Sequence, residues 1–237
     1  MPATNLPSLS KFEVSPEECV KHQGFYLAPS VLTPSECAEL VAYLGPTSGP
    51  GRRALLKDDH VASLARSEKL LALVSPHLQG KHAPRPVRAI YFNKSPDSNW
   101  LVAWHQDLTI CVQKKVDVAG FGPWSVKDEV PHVQPPIALL ENMITIRLHL
   151  DDTDETNGAL KVTPGSHTAD RLSPDAIQNW RQNTPEHLCT AHAGDALLMR
   201  PLLLHASGRS TSDRQRRVLH IEYAGYDLPA GMQWAEG

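Results

Sequence analysis

Three side chains set the chemistry: His105 and Asp107, two positions apart, and His205, 98 residues beyond Asp107. Two imidazoles and one carboxylate are a ligand set of a non-haem Fe(II) site, which keeps coordination positions open for co-substrate and dioxygen. In an extended strand successive side chains alternate faces, so residues i and i+2 point the same way and can share one metal. A single H-x-D pair carries little weight in a chain with 12 histidines. His205, taken alone, reads more readily as a core or turn histidine satisfied by hydrogen bonds, as most histidines are not ligands. It ends the apolar run 197–204 and opens into the small-residue turn Ala206-Ser207-Gly208, a place where it can meet ligands from another strand. Arg216 follows 11 residues later at the head of a strand-like run. A guanidinium aimed into a buried site binds a carboxylate bidentately, better than an ammonium can. Arg209, Arg214 and Arg217 lie nearby as an ordinary basic turn would place them, and spacing alone does not choose Arg216 over Arg217.

The elements that must position these residues change character along the chain. Ser15-Pro16-Glu17-Glu18 and Thr33-Pro34-Ser35-Glu36 each place a capping residue, then Pro at the first helical position, then Glu. The second is followed by Cys37, Leu40, Val41 and Leu44 at helical spacing and is closed by Gly45. A further helical pattern runs over 59–78 with a break near Ser67, and a late helix over 173–181. From Val87 onward the pattern predicts strands at 87–92, 101–111, 137–150, 160–162, 196–199 and 218–223, with turn signals at Asn157-Gly158 and Pro164-Gly165. Many strands preceded by covering helices predict a mainly β (α+β) fold with a jelly-roll core.

Composition sets outer limits. A chain of 237 residues suits one large domain with a full core. A helical covering region at 1–86 would precede a β-core at 87–224. The net charge of −3 gives no nucleic-acid footprint. Cys19, Cys37, Cys111 and Cys189 lie far apart and predict free thiols in a reducing compartment. No run approaches the roughly 18 apolar residues of a membrane span, and the N-terminal stretch lacks a signal-peptide pattern. A cytoplasmic protein, monomer or homodimer, with no nucleic-acid or membrane partner is the expectation.

Ala103-Trp104-His105-Gln106-Asp107 resembles the W-H-x-D metal motif of the phytanoyl-CoA dioxygenase family. Asn157-Gly158-Ala159-Leu160 with Pro164-Gly165-Ser166-His167, and His205-Ala206-Ser207-Gly208 with Arg216, resemble the family's two downstream motifs. The match covers roughly 87–224, and three motifs in order are far more specific than any one. The resemblance implies a double-stranded β-helix (cupin-like) oxygenase using Fe(II), 2-oxoglutarate and dioxygen, and acting on a small-molecule substrate. It implies His105, Asp107 and His205 as iron ligands, and Arg216 on the distal carboxylate of 2-oxoglutarate with Ser207 assisting. Asn93 would add a hydrogen bond, and His167 would be structural. The family reaction releases succinate and carbon dioxide and hydroxylates an unactivated C–H bond. Related halogenases lack the carboxylate that Asp107 supplies, so its presence favours hydroxylation.

The substrate side is read from two segments. The insertion 112–136 is long, polar and rich in Gly and Pro, as lids and binding loops often are. Within it Trp124, Lys114, Lys115 and His132 are candidate substrate contacts, with a surface loop pinned by Trp124 as the plainer reading. In 144–150 the strict alternation puts Thr145, Arg147 and His149 on one face. If that face lines the barrel, Arg147 and His149 shape a pocket suited to an anionic group; if it faces solvent, they are ordinary surface residues. Two other classes compete: a non-catalytic jelly-roll protein binding metal or ligand, and a cupin-type metal enzyme without 2-oxoglutarate. Dependence on 2-oxoglutarate separates all three.

Overall fold

A computed structural model of the chain describes residues 14–47, 49–80 and 82–237. The N-terminal region begins with α1 (Pro16–Gln23), where the Ser15 side chain accepts from the Glu18 amide. Strand β1 (Phe25–Ala28) follows, then α2 (Pro34–Leu44), opened by a complete capping box between Thr33 and Glu36. Next come β2 (Gly51–Arg52), α3 (Asp59–Ala65) and α4 (Glu68–Val74), with Ser67 capping α4 at the expected break. The core strands are β3 (Arg85–Lys94), β4 (Val102–His105), β5 (Ile110–Cys111), β6 (Trp124–Lys127) and β7 (Val130–Val133). After the short helix α5 (Ile137–Glu141) come β8 (Met143–His149), β9 (Leu160–Val162) and α6 (Pro174–Asn183). The chain ends through β10 (His187–Cys189), β11 (Ala196–Met199), β12 (His205–Ser207) and β13 (Arg216–Ala224).

These strands form a six-stranded sheet ordered β1-β11-β8-β13-β3-β2, a four-stranded sheet β10-β9-β12-β4, and a three-stranded sheet β5-β7-β6. Every pairing within them is antiparallel. Side-chain parity explains how the six-stranded sheet serves two purposes. Ala89 and Tyr91 of β3, Ile144, Ile146 and Leu148 of β8, and Leu219, Ile221 and Tyr223 of β13 pack with the apolar faces of the helices. The opposite parity, Arg88, Ile90 and Phe92 with Arg147, His220 and Glu222, faces a cavity that the four-stranded sheet closes from the other side. Strand β8 is buried at every position because both its faces are covered. The Tyr223 hydroxyl donates to the Ala65 carbonyl at 2.9 Å, which ties the helical layer to the sheet.

The structure departs from the sequence expectations in several places, among them β10 and β12, which lie outside the expected strands; the expected turn after His205 begins as strand β12. Segment 101–111 is two strands, because the chain turns at Gln106–Asp107, where the Asp107 amide donates to the Pro201 carbonyl at 2.8 Å. The first residues of 137–150 are helix α5, since Pro135 and Pro136 have no amide to give to a ladder. The helical region contributes β1 and β2, the two edges of the large sheet, both short for the period-2 pattern to register. The insertion 112–136 contains the β6–β7 hairpin, which extends from β5 and flanks the cavity. The four cysteines are free thiols, and among the described residues no helix is long and apolar enough to cross a membrane.

Candidate metal centre and active site

Antiparallel pairing of β12 with β4 sets His205 directly opposite His105, with ring centroids 4.2 Å apart. Each imidazole is oriented by backbone. His105 Nδ1 lies 2.8 Å from the Ala103 carbonyl, and His205 Nδ1 lies 2.7 Å from the Leu203 carbonyl. A carbonyl only accepts, so both Nδ1 atoms carry the proton and both Nε2 lone pairs stay free, the arrangement metal-binding histidines use. The two Nε2 atoms each stand 3.7 Å from an Asp107 carboxylate oxygen. That is too long for a hydrogen bond and suits donors that share one ion at roughly 2–2.2 Å. His105, Asp107 and His205 are the metal-capable cluster among the described residues, with donor atoms all within 4.8 Å of one another.

Electrostatics agree with ligation. Burial pushes the His205 imidazole down to about 4, against the pull of Asp107, so it is neutral at neutral pH as a ligand must be. Burial would raise the Asp107 carboxyl, but His205 and His105 facing it hold it below its usual value. Gln106, between His105 and Asp107, is buried and structural: its amide nitrogen donates to the Asp170 and Leu202 carbonyls, both at 2.8 Å, and its oxygen accepts from the Leu172 amide.

The cavity holding these donors measures about 300 Å³. Arg216 enters it from the start of β13, donating from Nη1 to the Gly158 carbonyl at 2.7 Å and to Ser207 Oγ at 3.5 Å. Its Nε is buried without a partner among the described residues. Half of its donor fork is therefore left for a ligand carboxylate. Burial, with Arg147 adding repulsion, pushes its guanidinium down to about 9. Lys94 joins from β3, with Nζ on Ser207 Oγ at 3.0 Å and on the Gly208 carbonyl, over the Trp100 ring. A serine hydroxyl flanked by two cations, one with an orphaned donor, fits the distal carboxylate of a dicarboxylate such as 2-oxoglutarate.

The remaining expected residues fall in different places. Arg147 lines the cavity. His149, on the same side of β8, lies beyond it, held by Thr153 Oγ1 at 3.0 Å and kept neutral by burial. Asn93 sits on the opposite parity from Phe92 and Lys94 and does not line the cavity; Lys94 is the β3 side chain that reaches Ser207. Trp124 packs in the apolar cluster beneath the hairpin with Lys115 over its ring at 5.9 Å; neither it nor Lys114 lines the cavity. His132 is buried against the Cys111 thiol in an adjoining cavity of about 410 Å³. His167 is structural, its Nε2 on the Lys21 carbonyl at 3.1 Å. Lys94, Lys127, His220 and the Arg88–Glu222 pair were missed. For His220 and Glu222 the signal was present, polar residues at alternate positions in an otherwise apolar strand.

Comparison with known proteins matches this geometry. The phytanoyl-CoA dioxygenase (PhyH) profile fits residues 20–218. A probable alpha-ketoglutarate-dependent hypophosphite dioxygenase of Stutzerimonas stutzeri is 30% identical over 183 residues, 71% of this chain. The chain spans about half the length of that relative (54%). Among solved structures, EctD from S. alaskensis superposes with a TM-score of 0.68 at 15% identity, covering 94% of this chain and 80% of EctD. AviO1 from Streptomyces viridochromogenes gives 0.62 at 23% identity, covering 94% and 99%. The epimerase SnoN, solved with Fe3+ and alpha ketoglutarate, gives 0.64 at 18% identity, covering 91% and 90%. At these identities the structures establish the fold, the jelly-roll of the iron and 2-oxoglutarate oxygenases. With the family profile spanning most of its length, the chain belongs to the phytanoyl-CoA dioxygenase family of iron- and 2-oxoglutarate-dependent oxygenases.

Proposed function

We propose that this protein is an Fe(II)- and 2-oxoglutarate-dependent dioxygenase that hydroxylates an unactivated C–H bond of a small molecule, with release of succinate and carbon dioxide. The observation that carries the reading is convergence. Two pre-oriented Nε2 donors, one carboxylate and an arginine with an unfilled fork share one cavity. Bound iron supplies dioxygen activation coupled to decarboxylation of the oxoacid. The chain's own residues do the positioning. His105, Asp107 and His205 hold the ion; Arg216, Ser207 and Lys94 hold the distal carboxylate and so fix the oxoacid end towards the metal. Phe92, Trp100 and Leu160 give the cavity apolar wall, and Lys127 of the β6–β7 hairpin lines one side of it. The curated relative, whose name includes alpha-ketoglutarate dependence, supports the same co-substrate.

Related folds include a carbocyclase as well as an epimerase, so the outcome after hydrogen removal depends on what the cavity walls present to the substrate radical. Related halogenases lack the carboxylate that Asp107 supplies, which favours return of a hydroxyl group. Incubation with Fe(II), 2-oxoglutarate, labelled dioxygen and fractionated polar metabolites tests the reading by mass spectrometry. Labelled succinate together with a product carrying one labelled oxygen is expected. A product that has only lost two hydrogens, or turnover without succinate, contradicts it.

A further inference from the structure

We propose that the substrate of this site is a small anion, a carboxylate or a phosphorus oxyanion, whose charged group is gripped by the free edge of Arg147. The proposal rests on the 2-oxoglutarate reading above, because that reading decides which cations are already committed.

The charges lining the cavity are unbalanced. Arg53, Arg88, Lys127, Arg147 and Arg216 face it against Asp107 and Glu222. Glu222 is paired with Arg88 at 3.1 Å, and Arg53 pairs outward with Asp128 at 2.8 Å. Asp107 belongs to the metal. An Fe(II) ion, the Asp107 carboxylate and a 2-oxoglutarate dianion together leave one negative charge, which Arg216 cancels. Lys94 only adds to the positive side. Among the described residues, Arg147 in the interior and Lys127 at the rim are left with no carboxylate partner. An unpaired buried charge is costly, and such a group persists where a ligand completes it.

Arg147 is also built to hold an anion in one orientation. Its Nη1 lies 3.0 Å from His220 Nδ1. Arginine can only donate, so His220 Nδ1 accepts, and the ring proton sits on Nε2, which is 3.3 Å from Glu222 Oε1. His220 accepting through Nδ1 fixes the guanidinium without cancelling its charge. The Phe92 ring lies 5.6 Å from the guanidinium carbon and meets the His220 ring edge-on, so it limits tilt of the plane. Nε is buried with no partner among the described residues, and Nη1 makes the only side-chain hydrogen bond found for this arginine among them. The edge that remains, Nε with Nη2, is the one that binds carboxylates and phosphorus oxyanions bidentately. Size follows from the cavity: about 300 Å³ is the low end of the roughly 300–1,000 Å³ typical of ligand sites, and the co-substrate takes part of it.

The test uses the full chain, loaded anaerobically with Fe(II) and 2-oxoglutarate, and reads the visible charge-transfer band of that complex. The probes are propionate, methylphosphonate and hypophosphite, set against propionamide and propylamine. Saturable perturbation of the band by anions, and not by the neutral or cationic probes, is the expected result. Preference between propionate and the phosphorus probes separates the two sources of the anion. Arg147→Gln should keep the band and weaken the anion response by roughly 10- to 100-fold, the loss expected for charge-assisted hydrogen bonds; Arg147→Lys, which keeps charge without the fork, should fall between. Equal responses to propionamide and propionate in the wild-type protein overturn the proposal without needing any variant to fold. So does loss of the band itself in a folded Arg147→Gln, which would make Arg147 a co-substrate residue. So do anions that merely abolish the band by displacing 2-oxoglutarate. Absence of any band in the wild-type protein is a different result: it overturns the 2-oxoglutarate assignment, and the charge balance that leaves Arg147 unclaimed falls with it.

Discussion

Replacing Arg216 by Gln should stabilise the ligand-free protein while destroying its response to 2-oxoglutarate. In the free protein this guanidinium is 3% exposed. Burial, followed by repulsion from Arg147, brings it from its ordinary value down to about 9. At about 1.4 kcal/mol per pKa unit, carrying that charge costs the fold about 5 kcal/mol. Its bonds to the Gly158 carbonyl and Ser207 return roughly 1.5–3 kcal/mol, and shortening the side chain loses some packing. The balance predicts a gain of about 1–3 kcal/mol for Arg216→Gln, or roughly 2–4 °C per kcal/mol in a domain of this size. Ligand reverses the order. With 2-oxoglutarate at a hundred times its dissociation constant the wild-type protein should gain about 2.7 kcal/mol, and the variant at the same concentration almost nothing. Anaerobic thermal unfolding of both proteins, with Fe(II) and with or without 2-oxoglutarate, reads all four values. A folded variant destabilised by 2 kcal/mol or more without ligand, or one still stabilised by 2-oxoglutarate, would refute the reasoning.

Three further outcomes follow from the same geometry. Burial, with Arg216, Arg147 and Arg209 nearby, brings the Lys94 ammonium down to about 7. Its folded value lies below its unfolded one, so the penalty is complete below pH 7 and is relieved as pH rises; stability of the free protein should climb by up to about 1.4 kcal/mol per unit above pH 7. Urea titrations at several pH values should show that climb in the wild-type protein and not in Lys94→Met, and parallel curves would contradict it. Gly158 has φ +79°, and a Cβ there would stand 2.8 Å from the Gly208 carbonyl oxygen and 3.0 Å from Lys94 Nζ. Gly158→Ala should cost about 2–5 kcal/mol from strain and overpacking; a denaturation midpoint unchanged from wild type would count against that. Trp124→Ala should lower stability by about 1–3 kcal/mol and leave the 2-oxoglutarate dissociation constant unchanged, because the ring supports the hairpin and does not line the cavity; a large change in that constant would show it to be a contact.

What was readable in advance depended on locality. Helix starts at Ser15 and Thr33 are written in four consecutive residues, and the structure has both caps. The turn at Asn157-Gly158 was also visible, though that its carbonyl would hold Arg216 and Ser207 was not. The strand argument for His105 and Asp107 reached the right neighbours by a route that holds only in part, since β4 ends at His105 and Asp107 lies on the irregular chain beyond it. Asn93 was expected at the site from the resemblance, and only pairing with β13 fixes which parity of β3 faces inward. Arg147 and His149 share a face, yet an offset of roughly 7 Å along the strand, two residues at about 3.4 Å each, carries one into the cavity and the other past it. Such distinctions depend on where the cavity ends, a long-range property that a local pattern does not encode.

The central claim is that one ion and one oxoacid meet at His105, Asp107 and His205. Anaerobic titration of the metal-free protein with Fe(II) and then 2-oxoglutarate tests it most directly, read by stoichiometry and by the visible charge-transfer band. The account predicts one Fe(II) per chain, a band that needs both components, loss of iron in His205→Ala, and loss of the band with iron retained in Arg216→Gln. Iron bound with full affinity by His205→Ala, or no iron bound by the wild-type protein, would contradict it.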